Sequence, residues 1–370
     1  MRILSIAGTR PEAIKLAPLV RRLDRHPMIE HRLIATGQHG SAFHEALLWF
    51  GLAADGDLEL PNPDPDSFAA ALGATLPRLI RDFVPDLLLV QGDTTSAWAA
   101  ALTAAAMGVP VGHVEAGLRS GNPTLPWPEE RNRFEIDGVS TLLFAPSSRA
   151  AANLVGLPGR SFVTGNTGID ALLEMRARQP ITLHDSARKL ILVTCHRNEA
   201  IPRLADLAQA LIRLADSPDV DIVLPVHGNP AIAGRLRTLL AGHPRLRIER
   251  PMPYPDLVRL MDAAHILLTD SGGLQEEGPA LGLPTLVLRD LTERPEVVAS
   301  GNARLIGLDP DRIVAETLAL LDDDDAHAAM SRPAFPYGQG DAARRISDAI
   351  ADWAGLPNTV TETPTNFRYA

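Results

Sequence analysis

At 370 residues the chain exceeds a typical single core and is expected to form two domains, and its 45% hydrophobic and 22% charged content excludes disorder over most of its length. A formal charge of -10 argues against non-specific nucleic-acid binding, which needs a clustered positive surface. The single cysteine, Cys195, excludes an internal disulfide and CxxC chemistry; no apolar run reaches the roughly 18 to 20 residues of a membrane span, and RILSIA after Met1 carries no export signal, so a cytoplasmic protein is expected.

Short β-rich runs alternate with longer helical patterns, which is the signature of βαβ units around parallel sheets. Strands are predicted over 2–7, 31–36, 86–91, 109–115 and 142–145, then over 189–194, 221–226, 245–248, 266–269 and 285–288. A turn-rich stretch over 165–180 marks the hinge. The expected division is a Rossmann-like domain over 1–168, a second over 169–338, a helical segment over 339–355 and a polar, mobile tail over 356–370. Two such domains would face each other across a cleft lined by the carboxyl ends of both sheets, where ligands bind in these folds.

The first strand runs into Gly8-Thr9-Arg10-Pro11-Glu12, with helical spacing at Ile14, Leu16, Leu19, Val20 and Leu23. Thr9 and Glu12 have capping-box spacing and can serve the helix start. Arg10 and Lys15 oppose the positive end of the helix dipole, which is easier to justify with an anion between them, although a surface position also fits Lys15. The loop is not GxGxxG and no GxxxxGK[ST] occurs, so no nicotinamide fingerprint or P-loop is present.

The next two strands end in acids, Asp93 in VQGDTT and Glu115 in GHVEAGLR. Asp93 is also placed to cap a helix over 97–107. Glu115 closes a buried strand, where a carboxylate is costly unless paired or functional. A third cluster, PWPEERNR, holds Glu129, Glu130 and Arg133, and one of its carboxylates is expected to pair with an arginine. Three carboxylates meeting at a cleft mouth would raise one another's pKa, as acid-base chemistry needs.

In the second half, VTCHR and LPVHGNP put His196 and His227 immediately after strands. A lone strand-end histidine is commonly structural; two beside an anion site point to function. The run ILLTDSGGLQEEG reads as a buried strand, a tight turn and a helix start. Ser271, Gly272 and Gly273 would let a diphosphate approach the backbone at the positive helix end, and Glu277 one turn on can accept from ribose hydroxyls. The same turn also occurs in α/β proteins for packing alone. Arg294, in LTERPE, would join imidazolium in neutralising a diphosphate leaving group. HExxH and HxxxH are absent, so no metal is expected in the chemistry.

Taken together, GTRPEAIKLAPLV, QGDTTS, GHVEAGLRSG, PWPEERNR, TGNTGIDAL, PVHGNP, DSGGLQEEG and TERPE resemble the non-hydrolysing UDP-N-acetylglucosamine 2-epimerases in order, from residue 1 to about residue 350. The resemblance implies the glycosyltransferase-B fold, two Rossmann-like domains with a C-terminal helix, here over 341–353, crossing back to the first. It implies interconversion of UDP-N-acetylglucosamine and UDP-N-acetylmannosamine for surface polysaccharides by a homodimer with no cofactor, neither nicotinamide nor obligatory metal, and no nucleic-acid or membrane partner. By motif match it assigns acid-base roles to Asp93, Glu115 and Glu129 and support of the departing UDP to His196. It carries over Arg10, Lys15, Arg133, His227, Ser271, Gly272, Gly273, Glu277 and Arg294 as substrate contacts.

The chemistry agrees with that implication. The hydrogen at C2 of the sugar is not next to a carbonyl, so inversion needs oxidation elsewhere or loss of the anomeric substituent. Without a nicotinamide site, elimination of UDP to a glycal remains, with acid-base groups flanking C2. The chain departs from the family pattern at Asn198-Glu199-Ala200 and over 60–67, both near the site of an activating second UDP-N-acetylglucosamine in bacterial members, while Gln38-His39 is kept. The competing readings are a hydrolysing epimerase, a glycosyltransferase of the same fold and a non-catalytic nucleotide-sugar sensor.

Overall fold

A computed structural model describes residues 1–61, 64–122, 124–178, 188–226 and 230–358. The chain forms two compact units, Met1–Ala177 with Tyr337–Ala370, and Arg178–Pro336. The sequence placed the divisions at 168 and 338. Among the described residues no helix is long and apolar enough to cross a membrane.

The first unit alternates β1 (Arg2–Ala7), α1 (Arg10–Asp24), β2 (Glu30–Ala35), α2 (Ser41–Trp49), β3 (Gly56–Asp57), α3 (Pro65–Phe83), β4 (Leu87–Gln91), α4 (Thr95–Ala106), β5 (Val111–Val114), α5 (Glu129–Val139), β6 (Leu142–Ala145), α6 (Ser148–Ala152), β7 (Arg160–Val163) and α7 (Thr167–Ala177). Its parallel sheet has the order β3-β2-β1-β4-β5-β6-β7. The order reverses between β1 and β4, so the loops after those strands diverge and leave a crevice where ligands bind in open α/β sheets. Gly8-Thr9-Arg10 and Gly92-Asp93 are those two loops.

Helix α1 shows how the local code sets such a loop. The Thr9 side chain accepts from the Glu12 amide, and Glu12 accepts from the Thr9 amide at 2.7 Å, completing the expected capping box. Leu16, Leu19 and Leu23 on its inner face are fully buried. At about 2 kcal/mol for each buried leucine against about 1 kcal/mol for a cap, the apolar stripe docks the helix and the cap fixes where it begins.

The second unit runs β8 (Lys189–Thr194), α8 (Leu204–Ala215), β9 (Val220–Pro225), α9 (Pro230–Leu239), β10 (Leu246–Glu249), α10 (Tyr254–Ala263), β11 (Ile266–Thr269), α11 (Gly272–Ala280), β12 (Thr285–Val287), α12 (Pro295–Ala299), β13 (Ala303–Leu305), α13 (Pro310–Asp322) and α14 (Asp324–Met330). Its parallel sheet, β10-β9-β8-β11-β12-β13, reverses between β8 and β11. The loops at that point carry Cys195-His196 and Asp270-Ser271-Gly272-Gly273. These are the two Rossmann-like sheets of the expected architecture.

The last described helix, α15 (Ala342–Trp353), packs on α1 and α7 of the first unit. Most of the turn-rich stretch over 165–180 is therefore α7, whose Ile169, Leu172 and Leu173 are buried. Three short strands, β3, β7 and β13, have no counterpart in the sequence reading. All lie at sheet edges, and β7 is largely exposed, so the buried apolar run that signals a strand is missing there. The expected tail lies outside the described residues from 359 onward.

Candidate active site

Glu115 is tightly constrained in the first unit. It is 6% exposed and holds φ 73°, the left-handed region that costs a residue with a Cβ about 1 to 2 kcal/mol. Surrounding contacts hold it there. Its amide and that of Ala116 both donate to the Phe144 carbonyl, at 3.1 and 3.0 Å. Its carboxylate receives Lys15 Nζ at 2.7 Å on both oxygens, Asn166 Nδ2 at 2.9 Å and the side-chain amide of Gln91. These directional contacts over-determine the strained backbone and keep the Glu115 carboxylate in one place.

Asp93 stands on the adjoining loop. A Cβ added to Gly92 would lie 3.4 Å from Glu115 Oε2, so the Gly92-Asp93 turn runs directly past the Glu115 carboxylate. Asp93 does not cap α4: Thr94 does, accepting from Ala97 N at 3.0 Å. That leaves the Asp93 carboxylate to Arg133, whose Nε lies 2.7 Å from Oδ2, while Asn132 Nδ2 donates to the Asp93 carbonyl at 2.8 Å. Arg133 also reaches Glu130 at 2.7 Å, so Glu130, 1% exposed, is the paired carboxylate of PWPEERNR. Glu129, half-buried, opens α5. The expected crowd of acids is thus interleaved with cations: Asp93 and Glu115 each face a positive charge instead of one another alone.

Arg10 lies with its guanidinium carbon 5.0 Å over the Trp49 ring; burial lowers its pKa and Glu45 opposes that shift. Its amide donates to His39 Nδ1 at 3.3 Å, and burial, aided by Arg10, holds His39 below its usual range. Gln38 Oε1 accepts from Ser96 Oγ at 2.7 Å. Gln38-His39 therefore ties the loop after β1 to the start of α4. Lys15, expected as a surface or anion-binding group, is the cation of Glu115.

In the second unit the organising residue is Asp270, 1% exposed. Its carboxylate accepts from the amides of His196 and Arg197, each at 2.9 Å, and lies 3.0 Å from His196 Nδ1. Burial alone would raise its pKa, but His196 and the two amides outweigh burial and bring it down to about 2. Asp270 thereby orients the His196 ring with Nδ1 toward the protein. The neighbouring Cys195 thiol is pushed up by burial and by Asp270, which removes it as a nucleophile.

Ser271 caps α11, its side chain accepting from Leu274 N, and the first intrahelical bond is Gln275 N to Ser271 O. The amides of Gly272 and Gly273 precede that bond and point along the helix axis. A Cβ on Gly272 would lie 2.8 Å from Arg294 NH1, so the guanidinium lies against the turn. Arg294, 4% exposed, is fixed there by Glu276 and Glu293. Glu277 is 7% exposed, with Oε1 3.7 Å from a Cβ added to Gly273. The Tyr254 phenol has its pKa raised by burial and then by Glu277. His227 lies outside the described residues.

Within each unit the named residues come together: Lys15, Asp93, Glu115 and Arg133 in the first, His196, Ser271, Gly272, Gly273, Glu277 and Arg294 in the second. Sequence reading missed the residues that hold them, namely Gln91, Asn166, Asp270, Glu276 and Glu293. Asp270 carried a signal, a carboxylate at the end of a buried strand, which is the argument that identified Glu115. Among the described residues no three His, Cys, Asp or Glu side chains are arranged to hold a metal ion.

Two parallel sheets that each reverse strand order, a glycine-rich helix start beside Arg294 and two acids paired with cations define an α/β protein of two Rossmann-like units. Residues 21–351 match the family of UDP-N-acetylglucosamine 2-epimerase, and the chain belongs to that family. It is 42% identical to a probable UDP-N-acetylglucosamine 2-epimerase of Ralstonia solanacearum over 94% of this chain and 98% of the relative. It is 40% identical to the UDP-N-acetylglucosamine 2-epimerase of Salmonella typhimurium, over 95% and 99%. The crystal structure of the Neisseria meningitidis enzyme bound to UDP-GlcNAc is similar with a TM-score of 0.92 and 36% identity, covering 95% of this chain and all of that one.

Proposed function

We propose that this chain interconverts UDP-N-acetylglucosamine and UDP-N-acetylmannosamine without hydrolysis, by reversible elimination of UDP to a glycal. The observation that carries the reading is the Asp93 and Glu115 pair: two acids on adjoining loops, one in a strained backbone, each matched to a cation. One removes the C2 proton and the other returns a proton to the opposite face, with Glu129 as the third candidate. Lys15 and Arg133 pair with these acids as well as contacting substrate, and Arg10 and His227 complete the contacts. In the second unit the Ser271-Gly272-Gly273 turn takes the diphosphate, Glu277 the ribose hydroxyls, and His196 with Arg294 the charge that develops on departing UDP.

The test is proton NMR with UDP-N-acetylglucosamine in deuterium oxide. The expected product is the manno epimer deuterated at C2 with UDP still attached. Free UDP with free sugar would overturn the non-hydrolysing reading in favour of the hydrolysing one. Full turnover by both Asp93→Asn and Glu115→Gln would overturn the assignment of the acids.

We also propose that two copies pair through the surface around α5. Leu125, Trp127 and Phe134, all on or just before α5, are 47%, 60% and 53% exposed, large apolar side chains of the kind that partner surfaces cover.

A further inference from the structure

His113, Asp137 and Arg119 take no part in the proton transfers above, yet they form a buried charged network beside both acids. His113, on β5, and Asp137, on α5, are fully buried. The imidazole Nδ1 lies 2.6 Å from Asp137 Oδ1, and Nε2 lies 2.8 Å from the Gly92 carbonyl oxygen. The other oxygen of Asp137 accepts from the Gly117 amide at 3.2 Å and from Arg119 NH2 at 2.6 Å. Arg119 is braced in turn by the Phe134 ring, 4.1 Å away.

These contacts join three chain segments. Gly92 precedes Asp93, Gly117 follows the strained Glu115 turn, and Asp137 belongs to the helix that carries Glu129 and Arg133. Burial would raise the Asp137 pKa, but His113 and Arg119 outweigh it and hold the carboxyl below its usual range. A carboxylate and a backbone carbonyl can only accept hydrogen bonds. Both ring nitrogens of His113 face such acceptors, so each is placed to donate. An ion pair in a core is costly, and an apolar pair of similar size would hold β5 to α5 at less cost. What the apolar pair cannot supply is direction at the Gly92 carbonyl.

We propose that His113 is a positioning residue: gripped by Asp137 and Arg119, it holds the Gly92 carbonyl through Nε2–H and so sets Asp93 beside Glu115 in the geometry that proton transfer at C2 requires. The proposal rests on the reading of Asp93 and Glu115 as the acid-base pair. His113→Phe keeps the ring and removes both donors. It is expected to lower kcat about a hundredfold, the cost of misplacing a reacting group by about 1 Å, while KM and UDP affinity stay within about threefold. In the wild-type chain, 15N NMR is expected to show His113 protonated at both nitrogens. A neutral His113 ring, or a folded His113→Phe with wild-type kcat, would overturn the proposal. Wild-type exchange at C2 is measured in parallel: its absence defeats the acid-base reading and this proposal with it, whereas exchange that His113→Phe leaves unchanged defeats this proposal alone. If His113→Phe does not fold, the nitrogen signature of the wild-type chain decides.

Discussion

A methyl group on Gly272 would come within 2.8 Å of Arg294 NH1 and 3.1 Å of its central carbon, whereas one on Gly273 would only touch Glu277 Oε1 at 3.7 Å. The Arg294 side chain cannot simply swing away, because it is buried and paired with Glu276 and Glu293. Gly272→Ala is therefore expected to lower stability by about 1 to 3 kcal/mol through overpacking and to weaken UDP binding by displacing the guanidinium. Gly273→Val is expected to leave the melting temperature within a few degrees and still weaken UDP binding, because its side chain occupies the space a diphosphate would take. Thermal melts and calorimetry with UDP check both. Unchanged UDP affinity in Gly273→Val would remove the diphosphate from this turn. Glycine spacing in DSGG gives no means of telling the two residues apart; the neighbour that distinguishes them, Arg294, is distant in sequence.

The C-terminal helix α15 begins against a single buried carboxyl. Asp170, 8% exposed on α7, accepts from the Ala343 amide at 2.9 Å and from the Ala342 amide at 3.2 Å. Burial dominates, with Asp341 adding to it, and raises the Asp170 pKa from 3.8 to about 7 despite those amides. The folded chain thus keeps a proton between about pH 4 and pH 7 that the unfolded chain releases. Stability contributed at this site falls as pH rises through that window, by at most about 4 kcal/mol. Asp170→Asn preserves one acceptor and does not titrate. Its melting temperature should gain on that of the wild type between pH 4 and pH 7. Parallel pH profiles for the two proteins would refute the linkage.

For the whole molecule, light scattering is expected to report twice the mass of one chain, and Trp127→Glu with Phe134→Glu to return it to a single chain. A monomeric wild type would refute the pairing, and a dimer indifferent to both changes would move it to another surface.

Much of the architecture follows from local rules that need no third dimension. Alternating apolar strands and amphipathic helices dictate parallel sheets, Thr9 and Glu12 dictate a helix start, and the acids after strands stand where such folds bind ligands. The ordered motifs identified the family before any coordinate did. Other features depend on residues far apart in the chain. Asp93 is one case: its position before the helix fits a cap, but in the fold Thr94 caps α4 and the Asp93 carboxylate faces Arg133, forty residues on. Lys15 is another, read as an anion ligand or surface group and found on Glu115. The His113 to Asp137 pair, the edge strands β3, β7 and β13, and the extension of the first unit through α7 have the same character. Spacing along the chain encodes backbone geometry because helices and strands repeat regularly. The pairing of buried charges is decided by whichever partner the assembled tertiary structure brings within hydrogen-bond distance.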